Sequence, residues 1–189
     1  MAIQEGDKIP EATVHHMTDA GPTPITTSEL FSGKRSVLFA VPGAFTPGCS
    51  MHHLPGFIDN SDEILGKGVD QIVCLSVNDP FVMAAWGNDK GTGDKMLMVG
   101  DGNGELTEAL GLSMDGSGFG LGKRSLRYSM IIDDNSLTKL NVEENPGEDA
   151  EALSISSLAQ SRSSISSECA KAHGNRYKKA AGSFKVSSI

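Results

Sequence analysis

Cys49 is the residue whose neighbours most clearly indicate chemistry. The segment VPGAFTPGCS (41–50) lies between an apolar run and a stretch with helix-compatible composition. A cysteine at the start of a helix lies near unpaired backbone N–H groups and the positive end of the helix dipole, which favour the thiolate. Because the thiolate is the nucleophilic form, this position predicts a reactive sulfur, and it requires that the sulfur be open to solvent.

Nearby residues could adjust this reactivity. Thr46 precedes Cys49 by one turn, so its hydroxyl could reach the sulfur or an oxygen bound to it. Pro42 and Pro47 limit the flexibility of the loop, and Pro42 shields the thiolate without adding an N–H donor.

Other interpretations of this segment stay open. Cys49 could be a buried structural thiol. His52 and His53 would share its helix face, which permits a Cys–His dyad or a metal pair. Neither arrangement has further ligands nearby, so we expect both histidines on the helix surface. The three cysteines also lack the paired spacing of a zinc site.

The elements around this segment indicate an α/β fold. Four short apolar runs have the composition of buried strands: 36–41, 72–77, 96–99 and 127–132. A turn at 133–136 makes the last of them a hairpin with 137–142. Asn78-Asp79-Pro80 predicts a helix start, and residues 50–67 are helix-compatible with a kink or an interruption at Pro55-Gly56. This order predicts a mixed central β-sheet flanked by helices.

A glycine-rich segment, 116–122, fails the G-x-G-x-x-G pattern and does not join a strand to a helix. It predicts a flexible loop. We expect the following Lys123 and Arg124 to be solvated.

The motif around Cys49 resembles that of a known family. PGAFTPGC (42–49) matches the pattern P-x-x-x-T-x-x-C of the peroxiredoxins, in the form typical of their type II (atypical) subfamily. Flanking segments resemble the same subfamily: HLPGF (53–57), CLSVND (74–79), LRYSM (126–130) and LNVE (140–143). The resemblance implies a thioredoxin-like fold over residues 1–160.

It also implies roles for residues that are distant in the sequence. Cys49 would attack one peroxide oxygen and become a sulfenic acid. The Thr46 hydroxyl, the backbone N–H groups of Gly48 and Cys49, and the Arg127 guanidinium would stabilise the negative charge of the transition state. Phe119 would line the substrate pocket.

Two further cysteines bear on how the sulfenic acid would be reduced. Cys74 resembles the second cysteine of several type II members and is a possible resolving residue, although its place in an apolar run favours a core residue. Cys169 lies beyond the resemblance: it could resolve the sulfenic acid, form a mixed disulfide with glutathione or do nothing, and we assign it no dedicated resolving role. The resemblance implies hydrogen peroxide and small alkyl hydroperoxides as substrates and a homodimer. The reductant would be an external thiol, glutathione with glutaredoxin before thioredoxin, with no metal, haem or flavin.

Composition and charge narrow the class of protein. The formal net charge of −8 argues against a general nucleic-acid surface, and no apolar run is long enough to span a membrane. The N-terminus has neither secretory nor transit features, so we expect a cytoplasmic protein. Residues 161–189 form a predicted Ser-rich basic C-terminal extension to the domain at 1–160.

Two other functions could use the same sulfur. A cysteine hydrolase would pair Cys49 with His52 or His53 and would need no arginine at the thiolate. A redox sensor or chaperone module would oxidise Cys49 slowly and use the extension as its partner surface. A dithiol oxidoreductase is disfavoured because no C-x-x-C occurs.

Overall fold

A computed structural model describes residues 1–143. The boundary at residue 160, the predicted extension at 161–189 and Cys169 lie outside that range. The elements are β1 (Thr13–Thr18), β2 (Gly21–Thr26), α1 (Thr27–Phe31), β3 (Arg35–Val41), a π-helical turn (Cys49–His53), α2 (Leu54–Asp59), α3 (Ser61–Gly66), β4 (Gln71–Ser76), α4 (Pro80–Lys90), β5 (Met96–Gly100), α5 (Glu105–Ala109), β6 (Ser113–Asp115), β7 (Lys123–Ser125), β8 (Tyr128–Asp133) and β9 (Ser136–Val142).

Seven strands form one mixed sheet in the order β2-β1-β5-β4-β3-β8-β9. The central strands β5, β4 and β3 are parallel, whereas β1 and β8 run antiparallel to their central neighbours. The predicted α/β fold with a mixed central sheet is therefore confirmed. The four apolar runs form β3, β4, β5 and β8, because strands covered on both faces need continuous apolar sequence.

Helices cover both faces of the sheet. Leu38 of β3 belongs to a core cluster that also contains Leu30 of α1 and Leu106 of α5. The adjacent Phe39 points to the opposite face, where its ring stacks on Phe57 of α2 with centroids 3.9 Å apart. The segment that follows Cys49 therefore packs on the second face.

The helix after Cys49 is not interrupted at Pro55-Gly56, which was one of the two forms expected there. The chain stays helical through both residues, and its first segment ends at Asn60. A π-helical turn directly precedes Pro55, with the Leu54 N–H bonded to the Cys49 carbonyl. Pro55 has no N–H to donate, and it lies where the hydrogen bonding changes from the π to the α pattern. Its missing donor therefore does not break a continuous series of α-helical hydrogen bonds.

One hairpin had no signal in the sequence analysis. Strands β1 and β2 pair at the edge of the sheet, and β2 contains Pro22 and Pro24. Proline cannot donate to a ladder on both sides, but an edge strand needs bonds on one side only. The hairpin β8–β9 was predicted, and Asp134 and Asn135 turn it with φ of 45° and 60°.

Gly100 provides a test of this arrangement. A Cβ at this position would lie 2.6 Å from the Asn78 carbonyl oxygen, at the loop that leads into α4. We expect Gly100→Ala to lower the free energy of unfolding by about 1–3 kcal/mol through overpacking, as measured by urea denaturation. Gly118→Ala is the matched control, because nothing lies within 4 Å of that Cβ position. Equal stability of the two variants would contradict the close approach.

Candidate active site

Cys49 lies in the first turn of the helical segment that follows β3. Pro47 and Gly48 are already helical, and the first helical hydrogen bond runs from the Ser50 N–H to the Thr46 carbonyl at 2.9 Å. Proline suits the first helical position because its missing N–H would have no intrahelical acceptor there. This local sequence therefore places the sulfur near the unpaired N–H groups of a helix start.

The structure brings Arg127 to this sulfur. Its Nη2 lies 3.5 Å from Cys49 Sγ. Arg127 directly precedes β8, which runs antiparallel to β3 with Tyr128 opposite Ala40. The end of β3 and the start of β8 thus lie side by side at the same end of the sheet. Residues that are 78 positions apart in the sequence become neighbours there.

Two further residues contact the Arg127 guanidinium. Its Nε donates to Glu143 Oε2 at 2.7 Å, and its Nη1 donates to His53 Nδ1 at 2.8 Å. The Arg127 and Glu143 side chains are each only 13% exposed. The guanidinium is thus bonded along two of its edges and presents the third nitrogen to the sulfur.

His53 is buried, with 3% of its surface exposed, whereas the expectation was a surface residue. Its ring lies 5.4 Å from the rings of both Phe39 and Phe57, which fill that face of the sheet. Burial, and then the neighbouring Arg127 charge, lower the pKa of His53 to about 3. The imidazole is therefore neutral and can accept the Arg127 hydrogen bond, which places its proton on Nε2.

The Thr46 hydroxyl forms a hydrogen bond within its own loop, and its expected approach to the sulfur or to an oxygen bound to it stays a prediction. This hydroxyl donates to the Gly43 carbonyl at 2.8 Å, so the oxygen lone pairs are the part left for another partner. A Cβ at Gly43 would lie 3.1 Å from Thr46 Cγ2, which is closer than most Cβ contacts in proteins. Pro42, at the end of β3, is half-buried.

The loop between β3 and Cys49 is anchored to its neighbours. Ala44 N–H donates to Asn78 Oδ1 at 3.0 Å, and that oxygen also accepts from the Ser76 hydroxyl at 2.8 Å. We expected Arg124 to be solvated, but its side chain bonds to the main chain. It donates to the Val77 carbonyl at 3.0 Å and to the Leu121 carbonyl at 2.9 Å. It therefore ties the glycine-rich loop to the segment before α4.

Lys123 and Phe119 lie at the surface. Lys123 is exposed and pairs with Glu108, in agreement with the expected solvated position. Phe119 is 86% exposed and lies in a 3-10 turn. Its predicted place in a substrate pocket stays a prediction.

The Cys49 sulfur is less exposed than we expected. Cys49 is 1% exposed, whereas a reactive thiol at this position was expected to be open to solvent. The preceding Gly48 is exposed, and Phe45 in the same loop is 53% exposed. Cys49 is thus a buried residue next to exposed ones, and it does not belong to the main core cluster.

Cys74 lies in the middle of β4 with no exposed surface. Burial raises the pKa of its thiol well above the usual range, and the charge of nearby Cys49 raises it further. Both cysteines are free thiols. The structure thus places Cys74 on a central strand, where a sulfur is unreactive without local unfolding.

Comparison with known proteins identifies the family. The family model described as Redoxin matches residues 4–155. The chain is 46% identical over 142 residues to Peroxiredoxin-2B of Arabidopsis thaliana, and the alignment covers 75% of this chain and 88% of that protein. The chain belongs to the peroxiredoxins.

A second relative, chloroplastic Peroxiredoxin-2E-2 of Oryza sativa subsp. japonica, is 52% identical to this peroxiredoxin over 147 residues. That alignment covers 75% of this chain but 65% of the relative, so the chain spans just under two thirds of its length.

A solved structure agrees with the fold. The crystal structure of reduced Prx3 in complex with H₂O₂ from Vibrio vulnificus has a TM-score of 0.77 and 47% identity to this peroxiredoxin, covering 82% of this chain and 99% of that one. The predicted thioredoxin-like fold is thus confirmed. Over the described residues, no helix is long and apolar enough to cross a membrane, and no group of His, Cys, Asp and Glu is placed to hold a metal.

Sequence reasoning missed Glu143 as a site residue. The two-residue turn alone predicts a register that continues from Asp133↔Ser136, which would place Val142 opposite Arg127. A bulge between Ile131 and Ile132 shifts the pairing by one, and the Glu143 N–H donates to the Arg127 carbonyl at 3.0 Å. Nothing in the sequence signals this bulge. For His53, the signal was its spacing from Cys49 on one helix face.

Buried neutral His53 predicts a pH-dependent stability. In the unfolded chain its pKa returns to about 6.5, so below that pH the unfolded state binds one more proton than the folded state. Acidification from about pH 6.5 towards about 3 should therefore cost on the order of 1 kcal/mol of folding free energy per pH unit. Urea unfolding across this range should show a shallower loss in His53→Gln, which keeps an acceptor but does not titrate. Identical slopes would contradict the assignment.

Proposed function

We propose that this chain is a thiol peroxidase in which Cys49 reduces hydrogen peroxide and small organic hydroperoxides. The observation that carries the proposal is the 3.5 Å contact between Arg127 Nη2 and Cys49 Sγ at a helix start. A cation beside a sulfur favours the thiolate, and the thiolate is the form that attacks peroxide.

The reaction transfers two electrons from sulfur to the peroxide. The Cys49 thiolate attacks one peroxide oxygen, the O–O bond breaks, and the sulfur becomes a sulfenic acid. The other oxygen leaves with the bonding electron pair and takes a proton, which yields water or an alcohol. No prosthetic group takes part, and all the electrons come from the thiol.

Arg127 and Thr46 have complementary hydrogen-bonding capacities for this step. The guanidinium carries five N–H donors, and Nη2 can donate to a peroxide oxygen beside the sulfur. The Thr46 hydroxyl already donates to the Gly43 carbonyl, so towards a peroxide it acts as an acceptor for the O–H proton. The N–H groups of Gly48 and Cys49, which lie in the first turn of the helical segment, add donors.

Access to the sulfur requires a local opening. Because Cys49 is 1% exposed, a peroxide reaches the sulfur only when residues around it move. Local openings of loops cost far less free energy than global unfolding. Pro42 limits the flexibility of the loop between β3 and Cys49.

An external thiol completes the cycle in this proposal. Cys74 is buried on β4 and does not serve as the resolving residue without local unfolding. Glutathione with glutaredoxin is our first choice of reductant and thioredoxin the second. A homodimer and a cytoplasmic location stay predictions, and one compared relative is named as chloroplastic.

The hydrolase alternative has no support in the site. His53 Nδ1 accepts from Arg127, and with a pKa of about 3 this histidine is a poor base for activating a thiol. His52 is exposed. An arginine at the sulfur is also a group that a hydrolase does not need.

Mass spectrometry after one equivalent of hydrogen peroxide tests the proposal. Wild type and Cys74→Ser should each gain one oxygen atom, or a dimedone adduct, on the peptide that contains Cys49. Cys49→Ser should consume no peroxide, because the nucleophile is gone. Oxidation first seen on another cysteine, or a Cys74→Ser protein that fails in its first turnover, would contradict the assignment.

A further inference from the structure

The Arg127 guanidinium is held by a carboxylate that the peroxide reaction itself does not use. We propose that Glu143 is a positioning residue: by bonding Nε it fixes the guanidinium so that Nη2 faces the Cys49 sulfur. This inference rests on the proposed peroxidase function and adds a residue that acts through Arg127.

Glu143 contacts Arg127 at both its main chain and its side chain. The Glu143 N–H donates to the Arg127 carbonyl at 3.0 Å, and Oε2 accepts from Nε at 2.7 Å. Both side chains are 13% exposed, so the ion pair is poorly screened by solvent. One residue thus fixes the backbone of Arg127 and the direction of its side chain.

His53 provides the second fixed point. Its Nδ1 accepts from Nη1 at 2.8 Å, and as a neutral group it adds no charge to the site. Two acceptors on different nitrogens define the plane of a guanidinium, because its N–H groups have a rigid fork geometry. Nη2 then has one direction, which is towards Cys49 at 3.5 Å.

The bulge in the last hairpin determines which side chain meets Arg127. With regular pairing Val142 would lie opposite Arg127, and a one-residue shift in register exchanges the faces of a strand. The extra residue at Thr138 lies between Lys139, paired with Ile131, and Leu137, paired with Ile132. The bulge thus supplies a carboxylate where a regular hairpin would supply an isopropyl group.

The charge of the Glu143 carboxylate and its role in orienting Arg127 lead to opposite expectations for the reactivity of Cys49 when Glu143 is replaced. The carboxylate partly offsets the guanidinium charge, so on charge alone its removal should not slow the reactions of the Cys49 sulfur. If Glu143 mainly orients Arg127, its removal should instead slow the attack on peroxide, where the direction of the donor matters. The two effects separate when peroxide is compared with iodoacetamide, which needs the thiolate but no donor to a breaking O–O bond.

The test uses Glu143→Ala and Glu143→Gln in the full-length chain. Stopped-flow fluorescence of Trp86, the only tryptophan, follows the first turnover with hydrogen peroxide. This probe is close to the site, since Trp86 Nε1 donates to the Ser50 hydroxyl at 3.0 Å. Peptide mass spectrometry follows alkylation of Cys49 by iodoacetamide from pH 5 to 9.

Glu143→Ala should lower the rate constant with peroxide by at least ~10-fold, because small misplacements of a catalytic group have effects of this size or larger. Its alkylation rate should be unchanged or higher. Glu143→Gln should recover to within about 3-fold of wild type, since the amide oxygen can still accept from Nε. Glu63→Gln, which alters an exposed pair with Lys67, is the matched control and should change neither rate.

Three outcomes would overturn the proposal: a Glu143→Ala rate with peroxide equal to wild type, an equal loss in peroxide and iodoacetamide rates, or no recovery by Glu143→Gln. If Glu143→Ala fails to fold, Glu143→Met takes its place, because it keeps the volume and lacks the acceptor. Failure of the proposed function would look different, since wild type itself would then not react with peroxide.

Discussion

The contact between the Arg127 guanidinium and the Cys49 sulfur is the interaction on which the site depends. It joins a residue in the helical turn that follows β3 to the residue that directly precedes β8, and the antiparallel pairing of those strands makes the contact possible. Both strands are largely buried, and each pairs with a neighbouring strand on both sides. The loop between Pro42 and Cys49 has only to place one sulfur beside a guanidinium whose position is already fixed.

A largely buried arginine needs hydrogen-bond acceptors for its N–H groups, because burying a charge without partners costs folding free energy. Here the acceptors are one carboxylate, from Glu143, and one imidazole, from His53. A second carboxylate at the His53 position would offset more of the guanidinium charge and weaken its effect on the thiolate. Burial keeps the imidazole neutral and makes it an acceptor without charge. The site therefore stays cationic towards the sulfur.

Much of this arrangement could be predicted from the sequence, and the exceptions have physical causes. Apolar runs predicted the central strands because burial on both faces leaves a local signature. The motif that ends at Cys49 indicated the family, and with it Arg127. The bulge that places Glu143 has no such signature, because it depends on how two strands settle into register. The burial of His53 depends on aromatic rings contributed by β3 and α2, which no local pattern reveals.

The central claim is that the Arg127 guanidinium accelerates the reaction of Cys49 with peroxide. The most direct measurement is the first-turnover rate constant with hydrogen peroxide for Arg127→Gln, with Arg35→Gln as a control at the opposite end of β3. The account predicts a loss on the order of 10²-fold or more for Arg127→Gln, as for other removed transition-state donors, and no comparable loss for Arg35→Gln. An Arg127→Gln rate within a factor of about three of wild type, far short of that loss, would contradict the account.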